Sequence, residues 1–120
     1  MSKKTLVIGA SDNAARYSNL VIRKLLSSGH EVVAIGKREA MVDDVKIEIK
    51  PLSFSDIDTV TLYLNAENQK EYYKYIVSLK PRRVIFNPGT ENPEFYKILD
   101  ENNIPYEIAC SLVLLSTNQY

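Results

Sequence analysis

The chain is poor in the residues that staple a fold or hold a metal, with one cysteine, one histidine and no tryptophan among 120 residues. Cys110 has no second cysteine for an internal disulfide, and Cys110 with His30 makes no recognisable zinc or iron spacing. A reducing compartment is expected, and with it a cytoplasmic location. Net charge is missing too, because fifteen Lys plus Arg offset fifteen Asp plus Glu. That balance removes the broad electrostatic drive toward nucleic acid or an anionic membrane, so neither is expected as a partner. Any anion must be held locally. Long hydrophobic runs are absent as well: the first, Thr5 to Ala10, is too short for a signal-peptide core or a membrane span.

What is present suits one domain over residues 1–120, since 45% of the residues are hydrophobic and a chain of this length buries enough surface to fold unaided. Short apolar runs alternate with amphipathic stretches, the pattern of parallel strands joined by crossover helices. Thr5-Leu6-Val7-Ile8, Glu31 to Ile35, Thr59 to Leu64, Arg83 to Phe86 and Tyr106 to Ala109 read as strands. Most are apolar on both faces, as central strands of a covered sheet are. Helices are expected over 18–28, stopped by Gly29, over 69–79, ended by Pro81, and over 93–102. The tract 39–55 is poorly patterned, although Val45 to Lys50 alternates with period two like an edge strand, and Asp43 and Asp44 are expected to face water. Residues 111–115 fit a short closing helix or irregular backbone. The fold class is therefore α/β: a Rossmann-like, doubly wound, mainly parallel sheet of about five strands in three α/β/α layers. Ligands of such sheets sit at the carboxyl ends of the strands, where the winding reverses, so function is sought in the loops that leave the strands.

All four glycines are expected in loops or caps, and Gly9, Gly36 and Gly89 each follow a strand or its exit residue. The first such loop is Gly9-Ala10-Ser11-Asp12-Asn13-Ala14-Ala15-Arg16-Tyr17-Ser18. Small residues there let backbone amides approach a phosphate, the following helix adds its positive end, and Arg16 is placed to fork onto the same anion. A plain tight turn with Ser18 as N-cap explains the composition equally well. A single glycine cannot supply the three steric roles of the G-x-G-x-x-G dinucleotide fingerprint. Where NAD sites place an acidic residue after the second strand, this chain has Lys37 and Arg38, a pair suited to a phosphorylated ribose such as that of NADP or coenzyme A. A response-regulator receiver domain is excluded, because it needs an acidic cluster after the first strand and an aspartate at the exit of the third, where Asn65 stands.

Three segments taken together, Gly9-Ala10-Ser11 through Arg16-Tyr17-Ser18, Asn87-Pro88-Gly89-Thr90-Glu91-Asn92 and Ala109-Cys110-Ser111-Leu112-Val113, carry a resemblance over nearly the whole chain. The sequence resembles the small single-domain CoA-binding proteins, relatives of the N-terminal domain of the succinyl-CoA synthetase alpha subunit. The resemblance implies a Rossmann-like fold that holds coenzyme A. Pyrophosphate would lie over Gly9, Ala10, Ser11, Asn13, Ala14, Arg16, Tyr17 and Ser18, and the phosphorylated ribose near Gly36, Lys37 and Arg38. Asn65 would edge the same crevice, Asn87, Gly89 and Thr90 would line it farther along, and Cys110 would stand at its rim where the pantetheine arm runs. The turn chemistry of Asn, Pro and Gly accounts for the 87–90 segment without a ligand, and burial as a small hydrophobe accounts for Cys110.

The synthetase subunit carries a phosphorylated histidine on a second domain that this chain lacks, and His30, between a helix cap and a strand start, does not replace it. No nucleophile, base and orienter assemble from the strand-exit residues. The reading is a non-catalytic module for coenzyme A or an acyl-CoA. The alternatives are an NADP-dependent enzyme and a protein-interaction domain with a vestigial nucleotide pocket. The sequence leaves open a protein partner or homo-oligomer.

Overall fold

The computed structural model describes residues 2–120. Strands β1 (Thr5–Ala10), β2 (Val32–Gly36), β3 (Ala40–Val42), β4 (Val45–Glu48), β5 (Thr59–Leu62), β6 (Arg83–Phe86) and β7 (Tyr106–Ile108) form one sheet in the order β3-β4-β2-β1-β5-β6-β7. Only the β3·β4 pair is antiparallel. The parallel strands therefore run outward from β1 in one direction and from β5 in the other, and the winding reverses between them. The class matches the expectation, while the sheet has seven strands rather than about five. The difference lies in the 39–55 tract, where Asp43 and Asp44 make an exposed turn, Asp43 in the left-handed region at φ 50°, and close a short hairpin. Val45 to Glu48 is thus an inner strand beside β2, and β3 covers its outer side.

The helices are α1 (Tyr17–Ser27), α2 (Ala66–Gln69), a 3₁₀ turn (Lys70–Tyr72), α3 (Tyr73–Leu79), α4 (Pro93–Glu101) and α5 (Ser111–Ser116). The helix expected over 69–79 begins earlier, where the Asn65 side chain caps α2 by accepting from the Asn68 amide at 2.9 Å. Along β1 the side chains alternate between two cores. Leu6 and Ile8 pack with Ile76, Phe95 and Leu99 from α3 and α4, whereas Val7 packs with Val21, Ile22 and Leu25 from α1 and with α5. Three layers result, and no helix among the described residues is long and apolar enough to cross a membrane. His30 sits at the amino ends of the strands, where its Nδ1 accepts from the Lys3 amide at 2.9 Å and its ring lies 5.1 Å from that of Tyr120.

Gly9, next to last in β1, and Gly36, last in β2, belong to strands rather than loops, and each sits where the backbone leaves no space for a side chain. At Gly9 a Cβ would stand 2.9 Å from the carbonyl carbon and oxygen of Tyr63, and φ is +91°. At Gly36 a Cβ would overlap the carbonyl oxygen of Ala10. The β1·β2 ladder changes register between Ile8 and Ala10, which brings these backbones together.

A buried polar knot ties the carboxyl ends of β5 and β6 to α5. Asn87 donates from Nδ2 to Thr61 Oγ1 at 2.7 Å and to the Leu62 carbonyl at 2.9 Å, and its Oδ1 accepts from the Ser111 amide at 2.8 Å. The hydroxyls of Thr61 and Ser111 share a further bond of 2.9 Å. Asn87, Thr61 and Ser111 are all buried, so each bond matters because its loss leaves a dry polar group behind.

Two stability effects follow from this geometry. Gly9→Ala should cost about 2 kcal/mol or more, while Gly29→Ala, at φ +86° with nothing within 4 Å, should cost about 1 kcal/mol from backbone strain alone. Urea denaturation of both variants checks this, and equal losses would mean that the close approach to Tyr63 carries no energy. Asn87→Ala should lose about 2–3 kcal/mol, because it strands the Ser111 amide and the Leu62 carbonyl. A thermal midpoint within a degree of the wild type would contradict the role given to this knot.

Candidate functional site

The exits of β2, β1, β5 and β6 border one open cleft of about 530 Å³, a size within the roughly 300–1,000 Å³ usual for small-molecule sites. It lies over the reversal between β1 and β5. The β1 exit supplies a loop whose shape is set by its own polar side chains: Ser11 Oγ accepts from the Asn13 amide at 3.0 Å, and Asn13 Oδ1 accepts from the Ala15 amide at 2.9 Å. From beneath, buried Asn19 donates to the Ser11 carbonyl at 3.1 Å, and Arg23 in turn holds Asn19. The loop feeds α1, whose N-cap is Arg16 rather than Ser18. Neither a side-chain cap nor an acidic residue occupies the first turn, so the positive end of this helix opens beside Gly9 and Ala10.

Most of the sequence-derived candidates meet here. Gly9, Ala10, Ser11, Arg16, Tyr17 and Ser18 line the β1 side, Gly36, Lys37 and Arg38 the β2 side, and Asn65, Gly89 and Thr90 the far wall. Tyr17 is 70% exposed, free to lie against a flat group. Asn65 uses its side-chain oxygen on the α2 cap. Thr90 donates its hydroxyl to the Asn87 carbonyl at 2.7 Å, so it shapes the wall and has no spare donor. Four candidates lie elsewhere. Asn13 and Ala14 are exposed outside the cleft lining, Asn87 is buried below it in the polar knot, and half-buried Cys110 is the N-cap residue of α5 and does not line the cleft.

The cleft also contains residues that sequence patterning assigns no such place. Asp12, from the β1 loop, meets Arg38, from the β2 exit, at 3.2 Å across the mouth. Tyr72 and Glu71 reach the cleft beside Gly36 and Lys37. Tyr63 also lines the cleft; burial pushes its phenol well above the ordinary range, and among the described residues its hydroxyl has no hydrogen-bond partner. Burial, aided by the Glu71 carboxylate, raises the Tyr72 phenol too. Both remain protonated near neutral pH. Behind the far wall, Gln69 is fully buried and donates from Nε2 to the Leu64 carbonyl at 2.9 Å and to the Thr90 carbonyl at 2.7 Å, while its Oε1 accepts from Asn92 at 2.9 Å. One amide thus fixes the β5 exit to the β6 exit.

Electrostatically the cleft holds three cations, Arg16, Lys37 and Arg38, against two carboxylates, Asp12 and Glu71. Among the described residues neither Arg16 nor Lys37 has an ion-pair partner. An uncapped helix end flanked by such cations is suited to an anion, and two separate groups of cations suit a ligand with more than one phosphate.

The chain is similar to solved structures across its whole length. One is an uncharacterized protein, 46% identical, with a TM-score of 0.97 over 100% of this chain and 99% of that one. A hypothetical protein from Pyrococcus horikoshii OT3 is 26% identical, with a TM-score of 0.86 over 97% of this chain and 83% of that one. A protein from Thermus thermophilus is 20% identical, with a TM-score of 0.86 over 99% of this chain and 91% of that one, and so is similar in fold alone. No curated protein matches. The model of the CoA binding domain matches residues 3–116, which hold every strand and helix described above, and the chain belongs to that family.

Proposed function

We propose that this protein is a non-catalytic coenzyme A binding module, with the pyrophosphate over the β1 loop and the open end of α1, and the phosphorylated ribose at Lys37 and Arg38. The observation that carries the reading is the meeting of these two cationic regions in one cleft over the β1/β5 reversal, in a chain of the CoA binding domain family. The donor set fits the ligand. Backbone amides and Arg16 stand at the β1 exit, and the cationic pair stands at the neighbouring β2 exit, one strand spacing away. From β2 to β6 the cleft spans three strand spacings, roughly 14 Å, so a ligand anchored at β2 and β1 sends its remaining arm over β5 toward Gly89 and Thr90.

The chemistry of the lining supports binding without catalysis. Burial holds the Tyr63 and Tyr72 phenols neutral, the Asp12 carboxylate lies beside Arg38 at the phosphate end, and the histidine is at the opposite ends of the strands. An acyl-CoA fits the same scheme, because the acyl group would lie beyond the phosphate contacts that anchor the ligand.

Calorimetry with coenzyme A, dephospho-CoA, NADP and NAD tests this. Coenzyme A should bind most tightly and dephospho-CoA about fivefold more weakly, the roughly 1 kcal/mol of an exposed charge-assisted contact. Preference for NADP over coenzyme A would favour a dinucleotide enzyme instead. Equal affinity for coenzyme A and its dephospho form would remove Lys37 and Arg38 from the site. Arg16→Ala should weaken coenzyme A by about 1 kcal/mol, since Arg16 is exposed, and should leave the melting temperature unchanged because its side chain makes no capping bond. A variant that binds as well as the wild type would assign the pyrophosphate to backbone amides alone.

A further inference from the structure

The ion pair at the mouth of the cleft differs from the other charge pairs in what it joins. Asp12 belongs to the loop after β1 and Arg38 to the exit of β2, and the 3.2 Å contact bridges the two regions assigned above to different phosphates. Asp12 has no part in shaping its own loop. That task falls to its neighbours Ser11 and Asn13, whose side chains accept the loop amides, and to Asn19 from below. The contact with Arg38 is the one bond found for the Asp12 side chain among the described residues. A carboxylate in an anion site, turned onto one of the site's own cations, holds that cation as a ligand oxygen would.

Resting on the coenzyme A reading of this cleft, we propose that Asp12 tunes its specificity as an internal competitor that occupies Arg38 until a ribose phosphate displaces it. Binding at that end is an exchange, in which the Arg38 guanidinium leaves one carboxylate for a phosphate monoester and the Asp12 carboxylate is left facing an anionic ligand. A phosphate offers three oxygens and a larger charge, so the exchange is favourable, but its net gain is smaller than that of a free arginine. A nucleotide without the ribose phosphate cannot drive the exchange and meets the closed pair. Asp12 therefore lowers affinity chiefly for ligands that carry this phosphate, and it tempers the selectivity that Lys37 and Arg38 confer. Reversible, moderate retention of the ligand is the consequence, as a carrier or sensor requires.

The experiment compares the wild type, Asp12→Asn, Arg38→Ala and the double variant by calorimetry. The probes are adenosine 3′,5′-bisphosphate and adenosine 5′-monophosphate, which differ only in the ribose phosphate, with coenzyme A as a control. Asp12→Asn should bind the bisphosphate about two- to fivefold more tightly, the scale of an exposed ion pair, and the monophosphate nearly as the wild type does. Its bisphosphate affinity should also fall more steeply with added salt, because Arg38 then starts free of an internal counter-ion. In the Arg38→Ala background the same change should have little effect. The melting temperature should not move, since the pair is exposed. Unchanged or weaker bisphosphate binding by Asp12→Asn, in a protein whose wild type binds coenzyme A, overturns the assignment of Asp12 alone. Failure of the wild type to bind coenzyme A at all overturns the underlying reading and this assignment with it.

Discussion

The site depends on a backbone contact. At the carboxyl end of β1 the chain passes so close to the Tyr63 carbonyl on one side, with Gly36 held as tightly against Ala10 on the other, that neither Gly9 nor Gly36 has room for a Cβ. Because the three strand exits lie this close, the loop after Gly9 runs low across the sheet before α1 begins. The uncapped end of α1 is consequently placed over the β1/β5 reversal, and the cations that follow Gly36 come level with it. A side chain at either glycine would push the exits apart, and the two cationic regions would no longer face one space.

The opposite wall is built by another kind of force. There the strand exits are joined by buried amide side chains: Asn87 ties β5 to α5, and Gln69 ties Leu64 to Thr90. Directional bonds in a dry interior fix distance and orientation together, which apolar contacts alone do not. The half of the cleft proposed above for the phosphates is thus shaped by close backbone packing, with Arg16 and Lys37 free of ion-pair partners among the described residues. The half that would receive the arm of the ligand is shaped by a saturated polar network with few free donors. A ligand charged at one end and largely neutral along its arm matches this division.

How much of this could be read from the sequence follows from the range of the interactions. Strands such as Thr5-Leu6-Val7-Ile8 and Arg83-Val84-Ile85-Phe86 announce themselves because burial on both faces demands branched apolar residues in a row. The doubly wound class follows from their alternation with amphipathic helices. Strand β3 did not stand out, because Ala40-Met41-Val42 is three residues long and its pairing depends on a left-handed Asp43 that periodicity does not reveal. The start of α2 escapes periodicity for a related reason: its buried residue is Gln69, held by hydrogen bonds where the pattern expects a hydrophobe. Within the site, the glycine loop and the cations Lys37 and Arg38 were legible because each follows a strand directly. Asn87 looked like a wall residue on the same grounds, since the sequence does not say whether an amide turns toward the cleft or into the floor. Asp12 and Arg38 are 26 positions apart, and only the register of β1 against β2 makes them a pair.

A chain with equal numbers of acidic and basic residues has no long-range field to draw in a polyanion, so recognition rests on the arrangement of a few groups within the cleft. Three cations stand against two carboxylates there, and the excess of one is small beside the charge of a ligand with several phosphates. Tight binding would call for more cations or for their burial, and Lys37 and Arg38 are exposed to screening by salt. What the cleft has instead is a preformed shape, fixed by glycine packing on one side and by amide bonds on the other, with little ordering left to be done when a ligand arrives. On the proposed reading, shape would retain what charge only partly attracts, and the carboxylate among the cations would keep the attraction modest. The same architecture with Asp12 removed would hold its ligand longer, which suits storage. With Asp12 present, the proposed exchange would let occupancy follow the concentration of free ligand, as a carrier or a sensor requires.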